Sequence, residues 1–394
     1  MRAQSAERLD GGTQFPECRL DSEWEPDSAD PTQLRKFLDF GQAHFPAPRT
    51  ALLIYSHASG VTLCPDEEAQ RDMGIPEMAQ VIGAEHAVDW VALELCNMGG
   101  IEIAYEWSAF AGGFSTEVLT AIPNAGPPLD WKRIFARVHS PGHPAAAGRS
   151  DLLDPAAMTA HDFGRLAIEE GWKGRQAAAA RGGDLAARVA HEAAASYDLT
   201  QVGAVKAAVD AFARAVAAGG ATARTARTAL EQLRDGDRER GVAPVMNYCN
   251  DRFAGERAFV DLAALLARAA DCAELGTAAQ TAARTALAAT DDCVIASFGM
   301  PGYAGFVPGR DGAFLHFPAG DRRAQEGRLG QRAWAASAWY SPLPHGETHR
   351  PAIGEWAWCR DGARRDDGVI DNWFELLDAW YDEGDGGGVN GWRH

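Results

Sequence analysis

The sequence predicts an α/β fold: a mostly parallel sheet flanked by helices, with a large Ala-rich helical insertion. Three observations carry this expectation. Short continuous apolar runs, "ALLIY" at 51–55 and "VDWVALEL" at 88–95, have the character of strands covered on both faces in a parallel sheet. Amphipathic helical segments alternate with them, and the order helix, strand, helix, strand implies a right-handed crossover between parallel neighbours. Between about 140 and 290 the composition shifts to Ala-rich helical segments, with no fixed-period repeat that would make a solenoid.

The elements follow in order. Residues 1–30 are polar, rich in Asp, Glu and Pro, and read as an extended lead-in. Residues 31–140 form the α/β core. Within it, "DPTQLRKFLDFGQAHF" has apolar residues at 34, 37, 38, 40 and 45 with Pro31 in the first turn, an amphipathic helix that ends before Pro46. "RTALLIYS" is the first strand, "GIPEMAQVIGAEH" a helix with Pro76 near its start, and "VDWVALELC" the second strand. Residues 141–290 read as a helical lobe broken at joints such as "AARGGD", "VAAGGATARTAR" and "RDGDRERG". Residues 291–394 return to α/β: "DDCVIASFGM" and "GAFLHFP" as strands, "VIDNWFELLDAWYDE" as a closing helix, then a glycine-rich tail.

Composition bounds the function. A chain of 394 residues has ample apolar content for a buried core. Its formal charge of −18 disfavours attraction to nucleic acid or an anionic membrane and favours cationic partners. The start, "MRAQSAERLDGG", lacks an apolar signal region, and no stretch approaches the roughly 20 apolar residues that span a bilayer. The expectation is a cytoplasmic protein. The 7 cysteines are scattered without a CxxC pair, which points to free thiols rather than a disulfide framework or a zinc site.

The two strand patterns each end in a reactive side chain, "LLIYSHASG" in His57 and "VALELC" in Cys96. In an open parallel sheet ligands collect outside the carboxyl ends of the strands. Adjacent strands lie about 4.8 Å apart, so the two residues can share one site. A thiol facing an imidazole is a nucleophile with its base. The competing reading is a small buried thiol and a satisfied strand-end histidine. Glu94 shares a strand face with Cys96, and a buried carboxylate needs a partner. A nearby negative charge raises a thiol pKa, so Glu94 suits the floor of a pocket for a substrate Arg or Lys better than activation of the thiol. An internal pair with one of the protein's own arginines is the alternative, and both readings stand open at this point.

The stretch "ELCNMGGIEIAYEW", 94–107, resembles the nucleophile block of the clostripain-type cysteine peptidases of the caspase-like clan, in the spacing of Cys96, Met98, Gly99, Glu102, Ala104, Tyr105 and Glu106. The stretches "DPTQLRKFLDFGQAHFPAPRTALLIYSHASG" and "GIPEMAQVI" are similar to the family's approach to its catalytic histidine and to the connector between its catalytic strands. "SYDLTQVGAVKAAVDAFA", "FVDLAALL" and "AFLHFP" resemble later segments. The resemblance implies a caspase-like sheet, His57 as general base, Cys96 as nucleophile, and Glu94 as the acid that binds the Arg or Lys before the scissile bond. The family usually has Asp at that last position; Glu keeps the charge and reaches one methylene further, which leaves the choice between Arg and Lys open. Glu117 falls near another acidic family position flanking the pocket, with a solvated loop glutamate as the alternative. The oxyanion would be held by the backbone N–H groups of Cys96 and Ala58.

Family members are commonly zymogens cut at a basic residue between the histidine and cysteine strands. Arg71 is the only Arg or Lys between His57 and Cys96, and is the expected site of self-processing or of cleavage by an upstream protease. Arg181, Arg224, Arg227, Arg234 and Arg238 are further basic positions at the helical joints, read chiefly as solvated helix ends. No cofactor is expected; some relatives respond to calcium, but the sequence shows no EF-hand loop or compact acidic site.

Two departures from the family stand out. Ala58 replaces the Gly that follows the histidine, which would strain the backbone if positive φ were needed there. Residues 1–27 also contain no apolar run to supply the family's opening strands, so the His57 strand would become a sheet edge covered by something else, or the true start lies upstream. The leading expectation is a cysteine endopeptidase acting on protein substrates after Arg, with Lys as a second choice, activated by processing, and by analogy engaged in bacterial defence or cell death. A catalytically inactive caspase-like binding module is the alternative, and a thiol amidase acting on small molecules a third reading.

Overall fold

The computed structural model describes residues 27–126, 129–140, 142–218, 223–249, 258–318, 356–364 and 367–381. The polar lead-in before residue 27 and the glycine-rich tail after 381 lie outside the described residues. Helix α1 (Pro31–His44) is capped by the Asp30 carboxylate, which accepts from the Thr32 N–H at 2.9 Å, and Pro31 occupies its first turn. Strand β1 (Ala51–Tyr55) leads into a hairpin of β2 (Thr62–Asp66) and β3 (Arg71–Gly74), then α2 (Ile75–Ile82), β4 (Val88–Glu94), the short α3 (Ile101–Glu106) and β5 (Thr116–Ala121).

Helices α4 (Trp131–Phe135), α5 (Ala160–Ala179) and α6 (Gly183–Val189) precede β6 (Ala193–Asp198). Helices α7 (Val202–Ala217) and α8 (Ala223–Asp235), strand β7 (Phe259–Asp261), and helices α9 (Leu262–Ala270) and α10 (Gly276–Cys293) follow. Next come β8 (Val294–Gly299), β9 (Phe314–His316), α11 (Ala357–Arg360) and α12 (Trp373–Tyr381). Among the described residues no helix is long and apolar enough to cross a membrane.

The main sheet has the order β1-β4-β5-β6-β8. β1, β4 and β5 are parallel, whereas β6 is antiparallel to β5 and β8 antiparallel to β6. The α/β class and flanking helices match the sequence expectation, but the sheet is mixed rather than mostly parallel. The expected lobe over 141–290 contains its helices, yet it also supplies β6 to the interior of the sheet. The sequence of β6, "AAASYD", is poor in β-branched residues, so its own propensity favours a helix; pairing on both sides imposes the extended form. The expected strand "GAFLHFP" forms β9, which pairs with β7 in a separate two-stranded sheet.

Two apolar layers sandwich the sheet. Leu52, Ile54, Val91, Leu93 and Leu119 join the larger core with residues of α2, α3 and α7. Trp90, Ala92, Val118, Ala194 and Phe298 join the smaller one with Ile134 of α4 and Leu166 of α5. A hydrogen-bonded relay ties the smaller layer together. Trp90 Nε1 donates to Thr120 Oγ1 (2.9 Å), the Thr120 and Ser196 hydroxyls pair at 2.6 Å, and Ser196 also bonds to the Gly164 carbonyl of α5 at 3.0 Å.

Among the described residues β1 is one edge of the sheet and β8 the other. Strand β1 was expected to be buried on both faces, but it alternates: Leu52 and Ile54 are buried, while Leu53 and Tyr55 are 43% and 53% exposed. The α5 layer does not reach across to this strand, which explains the difference.

The segment after Cys96 holds the C-terminal part in place. Glu102 accepts from the His316 N–H of β9 (2.8 Å), the Tyr105 hydroxyl donates to Asp361 (2.6 Å), and Glu106 accepts from the Trp358 N–H of α11 (3.0 Å). Lys206 of α7, paired with Asp210, donates to the Asp361 carbonyl at 2.9 Å. Burial pushes the Glu106 carboxyl up to about 8.

Because native Glu106 keeps its proton to about pH 8 and the unfolded side chain loses it near 4.5, its contribution to stability is complete below 4.5 and is lost as pH rises through 8. Glu106→Gln keeps the acceptor and is expected to flatten that part of the stability–pH curve in urea titrations. Glu106→Ala leaves the buried Trp358 N–H without its acceptor and is expected to lower the unfolding free energy by about 1–3 kcal/mol in the same measurement.

Candidate active site

The ladder of β1 with β4 runs in register from Ala51↔Trp90 to Tyr55↔Glu94. His57 and Cys96 each follow two residues beyond that last pair, where the chain leaves the carboxyl end of its strand. Alternation places Tyr55 and Glu94 on one face, the face that carries α4 and α5. His57 is exposed and Cys96 is partly exposed. Cys96 is therefore not fully sealed in the core.

The local sequence explains the turn that presents Cys96. Asn97 takes φ 60°, a left-handed conformation that Asn tolerates better than most residues. Its N–H donates to the Asn124 carbonyl (3.0 Å) and the Met98 N–H to the Ile122 carbonyl (2.9 Å), so the turn is tied to the end of β5. A Cβ at Gly99 would lie 2.8 Å from the Pro123 backbone, which accounts for the glycine.

On the other strand, the His57 carbonyl accepts from the Cys64 N–H (3.1 Å) and the Ser59 N–H donates to the Thr62 carbonyl (3.0 Å), so hairpin β2–β3 supports the histidine turn. Ala58 bridges Leu63 and is not among the described non-glycine residues with positive φ. The methyl group that replaces the family's glycine is thus unstrained. Cys64 is a second thiol near His57, and burial pushes its pKa up, which disfavours a competing thiolate.

Glu94 is buried and accepts a hydrogen bond from the Leu129 N–H at 2.6 Å. Burial raises its carboxyl to about 7, against the opposing pull of the Leu129 N–H and the Arg175 charge. Neither the pocket-floor reading nor the internal-pair reading describes this fully, since the hydrogen bond comes from backbone and Arg175 acts as a nearby charge. Arg175, on α5, forms an ion pair with Glu192, the residue just before β6, and both are buried. The sequence reading missed Arg175, Glu192 and Leu129. Glu192 left a signal, an acid immediately preceding the apolar run "AAAS", while Arg175 resembled any helix-surface arginine.

Two expected positions differ in the structure. Glu117 pairs within β5 at the level of Asp89, between Val88↔Thr116 and Trp90↔Val118. At about 3.3 Å per residue this is roughly 17 Å along the strand from Glu94, at the opposite end from Cys96. It faces His161 at 3.5 Å and is exposed, so it does not flank the pocket; the parallel register decides this. Arg71 does not lie on an open polar loop. It starts β3, opposite Asp66, with its guanidinium 3.6 Å from Asp27 and 3.4 Å from Glu77. Of the joint arginines, Arg181, Arg224 and Arg238 are exposed and Arg234 is buried.

A thiol and an imidazole at the carboxyl ends of adjacent parallel strands, with a buried acid one step behind the thiol, are the parts of a thiol hydrolase. The family model described as the clostripain family matches residues 1–380, and the chain belongs to that family of cysteine peptidases, whose substrates are proteins. It is 26% identical to clostripain of Hathewaya histolytica over 417 residues, covering 98% of this chain and 76% of that protein. It is also similar to an inactive zymogen C11 protease from Parabacteroides distasonis, with 13% identity, TM-score 0.46, and coverage of 74% of this chain and 70% of that one. A secreted C11 cysteine protease from Bacteroides thetaiotaomicron, solved with an irreversible peptide inhibitor, shows 13% identity, TM-score 0.46, and coverage of 79% and 78% respectively.

A carboxyl NMR titration of glutamate-labelled protein is expected to show Glu94 with a midpoint near 7, well above the ordinary 4.5. Arg175→Gln is expected to move that midpoint further up, because it removes the charge that favours the carboxylate.

Proposed function

We propose that this cysteine peptidase cleaves proteins after Arg, with Lys as a weaker choice, through Cys96 and His57. The observation that supports the reading is the in-register β1–β4 ladder, whose last pair, Tyr55 with the buried Glu94, lies two residues before His57 and Cys96. Cys96 Sγ attacks the carbonyl after the basic residue, forming a tetrahedral oxyanion that accepts from the N–H groups of Cys96 and Ala58. His57 protonates the leaving amine, and water activated by the imidazole then hydrolyses the thioester. Glu94 in its ionised form receives the substrate cation.

The chain is a zymogen in this reading, with Arg71 as its processing site. The bond after Arg71 lies in β3 and the side chain is held by Asp27 and Glu77, so cleavage requires the β2–β3 hairpin to open first. That hairpin supports the His57 turn, which gives a direct physical route from processing to the base. Regulated proteolysis in bacterial defence or cell death is the biological setting that fits such control, in the cytoplasm, with an upstream protease or the chain itself as activator.

A fluorogenic peptide amide ending in Arg is expected to be turned over by the processed chain. Cys96→Ala is expected to abolish turnover and His57→Ala to lower it by about 10²–10⁴-fold, the range for a positioned acid–base group. Absence of turnover in every processed form overturns the reading in favour of an inactive binding module. Turnover of small amides without cleavage of any protein overturns it in favour of an amidase.

With Glu94 titrating near 7, KM for the Arg substrate is expected to fall as pH rises from 6 to 8, since the carboxylate that binds the cation is then formed. A substrate with a neutral residue before the scissile bond is expected to lack that change. Arg71→Gln is expected to leave the chain uncut and inactive; normal cutting and activity in this variant remove Arg71 from the scheme.

A further inference from the structure

Behind Cys96 the structure contains a second buried carboxylate that the cleavage scheme above does not use. Glu192 is 3% exposed, and its Oε1 has no hydrogen-bond partner among the described residues. It is tied to the nucleophile turn by a short chain of contacts. Asn97 donates to the Asn124 carbonyl (3.0 Å), Asn124 Nδ2 donates to the His191 carbonyl (2.7 Å), and the Ala193 N–H donates to Asn124 Oδ1 (3.1 Å). Glu192 lies between the last two residues of that chain.

Arg175 and Glu192 pack together with Ile122, Leu129 and Phe298 around a crevice too tight to hold a water molecule. Leu129 is the residue whose N–H caps Glu94, and Arg175 is close enough to Glu94 to pull its pKa down. Gly171, one helical turn before Arg175 on α5, allows this approach, since a Cβ there would lie 2.7 Å from Leu129. Two carboxylates and one guanidinium therefore converge from three elements around Leu129, on the sheet face that carries Glu94. A guanidinium is the planar, forked cation that carboxylates bind best, and it is also the side-chain head of the substrate residue proposed above.

We propose that Glu192 is a second specificity-determining carboxylate of the cation pocket, and that the Arg175 guanidinium fills this pocket as an internal counterpart of the substrate's arginine. Substrate binding then requires the Arg175 side chain to leave Glu192 and swing out of the space it fills. The inference rests on the reading of Glu94 as the cation-binding acid, and it deepens that reading by adding a second acid and a competitor.

The test reads binding without turnover. In the full chain carrying Cys96→Ala, the melting temperature is followed against millimolar methylguanidinium, with methylammonium as the comparison ion. Arg175→Ala and Arg175→Gln are expected to show a saturable rise of several degrees with methylguanidinium and less with methylammonium, while the parent shows none because its own guanidinium fills the space. Adding Glu192→Gln to either variant is expected to remove most of the rise.

No rise in either Arg175 variant, or an undiminished rise after Glu192→Gln, overturns the proposal. So does failure of both variants to fold even with methylguanidinium present, because the pair is then a structural one. With Cys96 intact, Arg175→Gln is expected to lower KM for the Arg amide several-fold with kcat little changed; a purely structural role would lower kcat instead. Turnover without methylguanidinium binding sinks this inference alone, and methylguanidinium binding without turnover sinks the peptidase reaction alone.

Discussion

The in-register parallel pairing of β1 with β4 is the constraint on which the site depends. Side chains alternate along a strand, so a slip of one residue in either strand's facing would carry His57 and Cys96 to opposite sides of the sheet. The facing is set by burial: Leu52 and Ile54 of β1, with Val91 and Leu93 of β4, belong to one apolar layer. The opposite face of β4 carries Trp90 and Ala92 into the second layer and, further along, Glu94 and Cys96. The chemistry at the strand ends is therefore positioned by hydrophobic packing several residues away.

The same face of the sheet shows how an acidic chain manages buried charge. Glu94, Glu192 and Arg175 are all removed from water, where an isolated ionised group is costly. The cost is met in different ways. Glu192 is paired with Arg175, whereas Glu94 has one backbone donor and a carboxyl raised to about 7, so much of its charge is neutralised by a proton near neutrality. Such a group gains from the arrival of a cation, which supplies the partner that burial otherwise denies it.

The segment following Cys96 links the candidate site to the rest of the molecule. Glu102, Tyr105 and Glu106 of α3 bond to β9, to Asp361 and to α11. Glu102 and Glu106 of this block are hydrogen-bond acceptors for distant backbone. A motif that marks the chemistry in sequence thereby also holds the fold, since the C-terminal segment is anchored to the helix that starts five residues after Cys96.

Much of the fold and part of the site were legible in the chain. The apolar runs located β1, β4 and β8, the proline-led amphipathic segments located α1 and α2, and the strand-end positions of His57 and Cys96 followed from the same patterns. These are local properties, carried by side-chain periodicity and by Pro and Gly chemistry, and they need no partner to be read. What depended on partners was not legible. The strand character of "AAASYD" comes from its neighbours in the sheet, the exposure of Leu53 and Tyr55 from the limited reach of α5, and the distance of Glu117 from the pocket from the parallel register.

By itself, then, the sequence determined the α/β class, the order of its leading elements and the positions of His57 and Cys96 just past two strand ends. Only the tertiary structure decided that Arg175 and Glu192, far apart in the chain from Cys96, meet behind it, because burial and charge pairing are properties of the assembled layers.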